Sequence, residues 1–398
     1  MYARSMRSAA SLVIMLAVGC GGGSALPDAQ YFDSLADAGF TAAHGPQPVV
    51  LPRPGGVVLA APVVVPIFFT GDDTMQTALE GFFAALPGSA YWTAITAEYG
   101  ISGITFATPI VTSDTVPTTD ADLQAYVNAN SQAGGAWPLN TPNTIYTVFL
   151  PHGAMLSTPF GNSCQAFGGY HDETQQLVVY ALIPRCDDTL DTATVVLSHE
   201  LLEASTDPHI SSNPAYLIPD PFHAIWGEMP GGELGDMCEY LGNADQRLVG
   251  NYLVQRTWSN AAATTNGDPC VPAPAGPYHG AEPVLPDLLP FDSATGGITT
   301  EGVKVPYGMS KTIDVVLFSD QPSDLWNVRA SDADATIFGL PNELELTWDR
   351  TDGSNGTTLH LTIERVANGQ IGGDGSSLLI ESTVGGQGVS EWWAYVGN

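Results

Sequence analysis

The segment His199-Glu200-Leu201-Leu202-Glu203 has the residue types and the spacing of a metal-hydrolase helix. Residues four apart share one face of a helix, so His199 and Glu203 can bind the same metal ion while Glu200 lies beside it. A catalytic zinc site uses three protein ligands and accepts both imidazole nitrogen and carboxylate oxygen. We therefore predict bound Zn²⁺, or another divalent cation, with Glu200 as the general base. An acidic surface helix with one histidine has the same pattern, so the prediction depends on a third ligand.

A glycine-rich segment, residues 226–238, can supply that ligand. Its glycines allow the chain to fold back tightly on the helix, and it carries two suitable carboxylates. We favour Asp236 as the third ligand, with Glu233 as the alternate. His209 is a further option, because one group of zinc enzymes places its third histidine ten residues after the first. A proline directly precedes His209, however, and both His209 and His223 are more simply interpreted as surface histidines.

The surrounding sequence must fold into elements that position this helix. Apolar runs and helical patterns alternate before it and predict strands at 63–69, 104–111, 145–150 and 176–183, with helices at 75–86, 90–99, 120–128 and 189–205. This order is typical of an α+β fold. We expect a zincin-like domain over residues 55–271.

The composition changes on both sides of that domain. Residues 21–54 are rich in glycine, proline and alanine and predict a flexible tether, and the proline-rich residues 272–288 predict a linker. Residues 289–398 contain short strand patterns separated by turn residues, at 312–318, 343–348, 358–365, 377–382 and 392–396. Short strands at this spacing favour an all-β sandwich, Ig-like in architecture. We find no catalytic constellation there.

The first twenty residues have the pattern of an export signal. Arg4 and Arg7 precede an apolar stretch that ends at Gly19-Cys20, and a run of glycines follows. A cysteine at this place is typical of a bacterial lipoprotein, so residues 1–20 predict a lipoprotein signal with Cys20 as the acylated residue. Ordinary signal cleavage is the alternative.

The cysteine count agrees with acylation of Cys20. Five cysteines would leave one unpaired thiol in an oxidising compartment, and removing Cys20 leaves an even set of four. Three pairings are then possible. We favour Cys164 with Cys186 and Cys238 with Cys270, because each pair brackets a local unit.

Charge excludes one class of function. The chain has 42 acidic and 11 basic residues, for a formal net charge of −31 at pH 7. Such a surface repels phosphate backbones, so no nucleic-acid partner is expected, while divalent cations and cationic partners are favoured. No later apolar segment reaches the roughly 18 residues needed to span a bilayer. Membrane contact is therefore expected only through the N-terminal lipid anchor of an outer-membrane lipoprotein, or not at all if the protein is secreted.

Short segments between residues 57 and 270 occur together in a recognisable order: Val65-Pro66-Ile67-Phe68-Phe69-Thr70-Gly71, Gly168-Gly169-Tyr170-His171-Asp172, Ser198-His199-Glu200-Leu201-Leu202-Glu203, Asp207-Pro208, Ala224-Ile225-Trp226, Glu233-Leu234-Gly235-Asp236-Met237-Cys238-Glu239 and Tyr252-Leu253-Val254-Gln255-Arg256-Thr257-Trp258-Ser259. In this combination the chain resembles the EXORDIUM, or phosphate-induced, family of secreted plant proteins and its bacterial relatives.

The resemblance implies an extracellular protein whose helix has the zincin form. Carried over residue by residue, it implies a site made of five residues of the helix and the loop, namely His199, Glu200, Glu203, Glu233 and Asp236. His171 is a further catalytic candidate near the site on the same grounds. The biochemical activity of the family is unsettled, so the resemblance implies no substrate.

Two functions follow from these observations. The first is an exported envelope lipoprotein with a zinc-dependent hydrolase domain that acts on a peptide or a cell-envelope polymer. The second is a non-catalytic, metal-stabilised binding or structural module of the envelope. Carboxylate ligands cancel more of the zinc charge than imidazoles do and make the metal a weaker Lewis acid, which favours the second.

Overall fold

The computed structural model describes residues 40–217, 219–293 and 296–398. The fold is mixed α/β with more strand than helix, and we divide it into an α/β half, residues 63–271, and a β-rich half, residues 280–398. The signal segment and Cys20 lie outside the described residues.

The α/β half contains the following elements: β1 (Val63–Phe69), α1 (Asp73–Ala85), α2 (Ala90–Thr96), β2 (Thr105–Phe106), β3 (Ile110–Thr112), α3 (Asp120–Ser131), β4 (Thr144–Phe149), β5 (Ser157–Thr158), β6 (Gly161–Asn162), β7 (Tyr170–Glu173), β8 (Val179–Ile183), α4 (Leu190–Thr206), α5 (Ile225–Glu228), β9 (Asp245–Val249), β10 (Tyr252–Gln255), β11 (Thr257–Trp258), α6 (Asn260–Ala263) and β12 (Cys270–Val271). Three short 3-10 helices lie at Ala97–Tyr99, Pro221–His223 and Asp236–Cys238.

A six-stranded sheet forms the centre of this half, in the order β2-β1-β4-β8-β7 with β3 also paired to β1. Its pairs are parallel except for β7, which runs antiparallel to β8 at the edge. Alternate residues of β1 enter different cores: Val64 and Phe68 pack in one, and Val65 and Ile67 pack in another beside residues of α3. Burial on both faces explains the unbroken apolar sequence of β1.

Helix α4 carries the predicted metal-binding residues, and the structure confirms its predicted span to within one residue at each end. Thr189 caps its first turn by accepting a hydrogen bond from the Thr192 amide. The helix ends before Pro208, since a residue that precedes proline disfavours helical geometry. Most of its residues are buried, and the Thr194 hydroxyl donates to the Leu253 carbonyl of β10 at 2.6 Å. The helix is therefore an internal support for the site.

Both predicted disulfides are confirmed. Cys164 bonds to Cys186, and Cys238 bonds to Cys270. The second bond ties the 3-10 helix Asp236–Cys238 to β12 and so fixes the end of the glycine-rich segment. Disulfides are typical of proteins that fold in an oxidising compartment, which supports export.

The β-rich half contains β13 (Gly280–Pro283), β14 (Asp287–Ser293), β15 (Gly296–Lys304), β16 (Ser310–Phe318), β17 (Trp326–Asp332), α7 (Ala333–Phe338), β18 (Leu344–Trp348), β19 (Asp352–Gly353), β20 (Thr358–Arg365), β21 (Ser376–Val384) and β22 (Gln387–Gly397). They form a four-stranded sheet, β13-β16-β20-β18, and a six-stranded sheet, β14-β15-β22-β21-β17-β19. Buried side chains from both sheets belong to one hydrophobic core, as expected for two stacked sheets.

Residues 40–54 correct the predicted tether. In this segment Val50 is fully buried and its amide donates to Asn260 Oδ1 at 2.8 Å, while the Ala42 amide donates to Asn355 Oδ1 at 2.9 Å. The glycines and prolines suggest a flexible chain, but asparagine side chains from both halves accept hydrogen bonds from its backbone amides and hold it in place. The predicted linker is also too long, because β13 within it pairs with β16.

The two halves contact each other near the glycine-rich segment. Gln387 Nε2 donates to the Gly242 carbonyl at 2.6 Å, and Thr300 Oγ1 donates to the Phe222 carbonyl at 2.8 Å. In the described ranges, 40–217, 219–293 and 296–398, no helix combines the length and apolar composition needed to cross a membrane.

Candidate metal centre

Helix α4 brings His199 and Glu203 together on one face, as their spacing predicts. His199 Nε2 lies 3.0 Å from Glu203 Oε2. Asp236 approaches from the glycine-rich segment, with its Oδ1 3.5 Å from the same nitrogen. One donor atom from each of the three residues lies within 4.8 Å of the other two. The structure therefore brings together the three residues that the sequence favours as ligands.

Glycine makes this close approach possible. Gly232 has φ of +87°, in the left-handed region that favours glycine. A Cβ atom on Gly235 would lie 2.6 Å from Glu203 Oε1 and 2.9 Å from His199 Nδ1. The backbone thus passes directly beside both side chains of α4, which leaves no room for a larger residue.

Hydrogen bonds from the glycine-rich segment and from Gln255 fix the two candidate ligands of α4, Glu203 and His199. Glu203 Oε1 accepts from the amides of Gly235 and Asp236, each at 3.1 Å, which leaves its Oε2 facing His199. Gln255 Nε2 donates to the Gly235 carbonyl at 2.8 Å, and its Oε1 lies 3.0 Å from His199 Nδ1. This amide orientation assigns the proton of a neutral His199 to Nδ1 and leaves Nε2 as the lone-pair donor toward the centre.

His171 lies on the edge strand β7, behind Glu200. Its Nδ1 is 3.6 Å from Glu200 Oε2 and 3.8 Å from Glu203 Oε2, and its Nε2 is 3.1 Å from the Asp207 carbonyl oxygen. His171, Glu200 and Glu203 form a second group with ligand spacing. His171 does not line the cavity of the site, and it contacts Glu200, which does. Its catalytic role stays a prediction.

Glu233, the alternate third ligand, is buried on the far side of His171, with Oε1 3.5 Å from His171 Nε2. It belongs to neither group with ligand spacing in the described chain, and nor does His209. Burial, together with the charge of Glu203, raises the pKa of Glu233 well above its usual value. His223 is not a surface residue: it is buried, and its Nδ1 lies 2.8 Å from Asp220.

The charges of the cluster are strongly coupled. Burial alone lowers the pKa of both histidines, but the adjacent carboxylates outweigh it, raising the pKa of His199 well above its usual range and that of His171 to about 9. Burial raises the pKa of Glu200 and, with the charge of Glu203, the pKa of Asp236. The pKa of Glu203 is lowered, because His199 and His171 outweigh its burial. Acidic groups are in excess, and a bound cation would stabilise their ionised forms.

A cavity of about 280 Å³ opens on one side of the cluster. His199, Glu200 and Asp236 line it, whereas His171 and Glu203 do not. Gly169 also lines it, and a Cβ atom on this residue would lie 2.8 Å from Glu200 Oε1. Of the two groups with ligand spacing, the one with His199 and Asp236 is therefore the more open to a substrate.

No family model and no curated protein sequence matches the chain. Among solved structures, the surface layer protein SbsC, domains 1-6, is similar at 15% identity and a TM-score of 0.18. The match covers 36% of this chain and 22% of that one. A TM-score this low carries no argument about fold or function, and the resemblance to the EXORDIUM family stays a prediction.

Proposed function

We propose that the protein is an exported, metal-dependent hydrolase of peptides or cell-envelope polymers, with a zincin-like α/β half. One observation carries the proposal: His199, Glu203 and Asp236 lie within ligand distance of one another at the wall of a cavity that Glu200 also lines. Such a group of buried acids and a histidine beside a cavity is a functional-site candidate because its charges are costly without a bound partner.

The residues present fit a divalent cation. Once a metal ion displaces its proton, His199 Nε2 would be a neutral nitrogen donor, and Glu203 and Asp236 would each offer one oxygen. This mixture of imidazole and carboxylate is suited to zinc. When bound, zinc would polarise a carbonyl and lower the pKa of a water molecule.

Glu200 is the base of the proposed reaction. It lines the cavity one residue from His199, where its carboxylate can take a proton from an attacking water and return it to the leaving group. His171, with its pKa raised to about 9, is a cation at neutral pH and can donate both to the Asp207 carbonyl and toward Glu200. These two interactions fix His171, and His171 in turn orients the Glu200 carboxylate toward the cavity.

A metal-stabilised module without turnover is the second candidate. It is favoured by the composition of the ligand group, because two carboxylates would neutralise the charge of a divalent cation. Metal analysis cannot separate the two candidates, but substrate turnover can.

Metal content tests the centre. We expect about one equivalent of zinc in the purified full-length protein by elemental analysis, and loss of that metal in His199→Ala and in Glu203→Ala. His223→Ala is the matched control, since it removes another buried histidine that is paired with an aspartate, outside the site. Full zinc occupancy in a His199→Ala, Glu203→Ala double variant would contradict the ligand assignment.

Attachment to the envelope is a separate part of the proposal. An acyl group on Cys20 would hold the protein at the outer membrane through its N-terminus, with lipoprotein processing supplying the additional chains that stable anchoring requires. Metabolic labelling with a fatty acid should mark the wild type and not Cys20→Ser. Equal labelling of both would exclude this anchor.

A further inference from the structure

The cavity beside the metal centre has two acidic residues that the proposed reaction does not use. Glu239 and Asp245 line it, on the wall formed by the glycine-rich segment and the β9–β10 hairpin. None of the described residues that line the cavity is a lysine or an arginine. Four carboxyl groups line the cavity against one histidine, His199, so the lining favours a cationic group.

The same elements that hold the metal ligands hold these two carboxylates. The Glu239 amide donates to the Asp236 carbonyl at 3.0 Å, directly after the disulfide-bonded Cys238. Asp245 stands opposite Gln255 in the β9–β10 ladder, and Gln255 supports His199. Glu239 and Asp245 are therefore positioned relative to the reaction centre by a disulfide and a strand pair.

Glu239 lacks the partner that a buried carboxylate needs. Its Oε2 is buried and has no hydrogen-bond partner among the described residues. A buried acid of this kind is stabilised in its ionised form by a cationic partner.

The shape and composition of the wall favour an organic cation. Leu241 and Ala244, which lie between the two acids in sequence, also line the cavity. The aliphatic stem of a lysine or arginine side chain packs well on such apolar groups while its charged end reaches a carboxylate. Among residues 40–217, 219–293 and 296–398, neither Glu239 nor Asp245 belongs to a group with ligand spacing for a metal ion.

We propose that Glu239 and Asp245 form a specificity subsite for a lysine or arginine side chain, so that the substrates are polymers with a cationic residue next to the scissile bond. This inference rests on the proposed function, because it assigns a substrate class to the same cavity. The subsite itself requires only binding and can be measured without turnover.

The test compares two peptides that differ in one charge. N-acetyl-Ala-Lys-Ala-amide and its norleucine analogue are titrated calorimetrically into the full-length protein, with zinc and after its removal by chelation. We expect the lysine peptide to bind about tenfold more tightly, as for a hydrogen bond to a charged group. Glu239→Gln and Asp245→Asn should each reduce this preference to about threefold or less, and Glu345→Gln, an exposed glutamate of β18, should not change it.

The outcomes separate this inference from the proposed function. Equal affinity of the wild type for both peptides would overturn the subsite, even if the protein binds zinc and hydrolyses peptides. A lysine preference that depends on Glu239 in a protein without turnover would support the subsite and contradict the hydrolase. A second equivalent of zinc that is lost in Glu239→Gln would also overturn it, because a metal ion would then occupy the carboxylates. Thermal melts of both variants check that each is folded, and the two variants test the subsite independently.

Discussion

The two halves of the molecule bury their polar groups in different ways. The α/β half gathers five buried or nearly buried ionisable residues around one point, His171, His199, Glu200, Glu203 and Asp236. In the β-rich half, two buried aspartates instead accept hydrogen bonds from neighbouring groups of the fold. Asp332 caps α7 and accepts from the amides of Glu343 and Leu344, and Asp334 accepts from the Ser377 hydroxyl.

This difference distinguishes buried acids that need a bound ligand from those that the fold itself stabilises. An acid that accepts backbone hydrogen bonds is satisfied within the fold, so its burial is a structural property. Acids that mainly face one another raise each other's pKa and are satisfied only by a cation. The comparison predicts that substitutions in the first half change chemistry, whereas those in the second change stability alone.

Glu200→Gln should have the largest effect. It keeps the shape of the side chain but removes the base, so we expect hydrolysis to fall by about 10²–10⁴-fold with zinc still bound. Kinetics on a peptide substrate, with elemental analysis, measures both. Glu282→Gln, which changes a buried glutamate of the β-rich half, should leave the rate unchanged. Undiminished turnover in Glu200→Gln would rule out its role as the base.

Removing the Cys238–Cys270 disulfide should destabilise the protein strongly. The bond closes a loop with a sequence separation of 32 residues, so the double serine variant should lose about 4 kcal/mol in the free energy of unfolding. We expect zinc affinity to fall as well, since the bond fixes the segment that carries Asp236. Denaturant titration and metal competition measure the two effects. A loss of stability with unchanged zinc affinity would show that the bond does not position the ligand.

Leu361→Ala tests the β-rich half. Leu361 on β20 is fully buried, so truncation should cost about 2–5 kcal/mol through lost burial and a cavity. Zinc content should be unchanged. Leu288→Ala, at an exposed leucine of the same half, should have little effect on either quantity. If Leu361→Ala is fully folded but loses zinc, the proposal that substitutions in the β-rich half change stability alone would be wrong.

Gly235→Ala should have the smallest of these effects, confined to the metal centre. Its Cβ would displace Glu203 Oε1, so we expect zinc affinity to fall by about 10–100-fold, as for other disturbances of groups that orient a ligand. Gly103→Ala is the control, because no atom of the described residues lies within 4 Å of its Cβ position. Equal zinc affinity in the two variants would argue against the close packing at Gly235.

The sequence predicts elements where one pattern is long and unopposed. Strand β1 and helix α4 fall at their predicted positions because apolar runs and i, i+4 spacing define them. Strand β7 has no such pattern: its four residues include His171, Asp172 and Glu173, and only pairing with β8 makes it a strand. Burial of His223 depends in the same way on a distant partner surface, which local sequence does not encode.

Some residues of the candidate site can also be predicted from the sequence, and others cannot. His199, Glu203 and Asp236 can be found from spacing and residue type. Gln255 cannot, because an amide that supports a histidine has no distinctive sequence signal. Glu239 is one of 42 acidic residues, and nothing in the sequence distinguishes it from the others that face solvent.

The contacts of residues 40–54 set an order of assembly. The Ala42 amide bonds to Asn355, 313 positions later in the chain, and Val50 bonds to Asn260. Synthesis proceeds from the N-terminus onward, so this segment is made before its partners and completes its contacts only after most of the chain has followed. A fragment that ends at residue 271 would keep Asn260 but lose Asn355, together with the Gln387 side chain that holds Gly242 at the cavity wall.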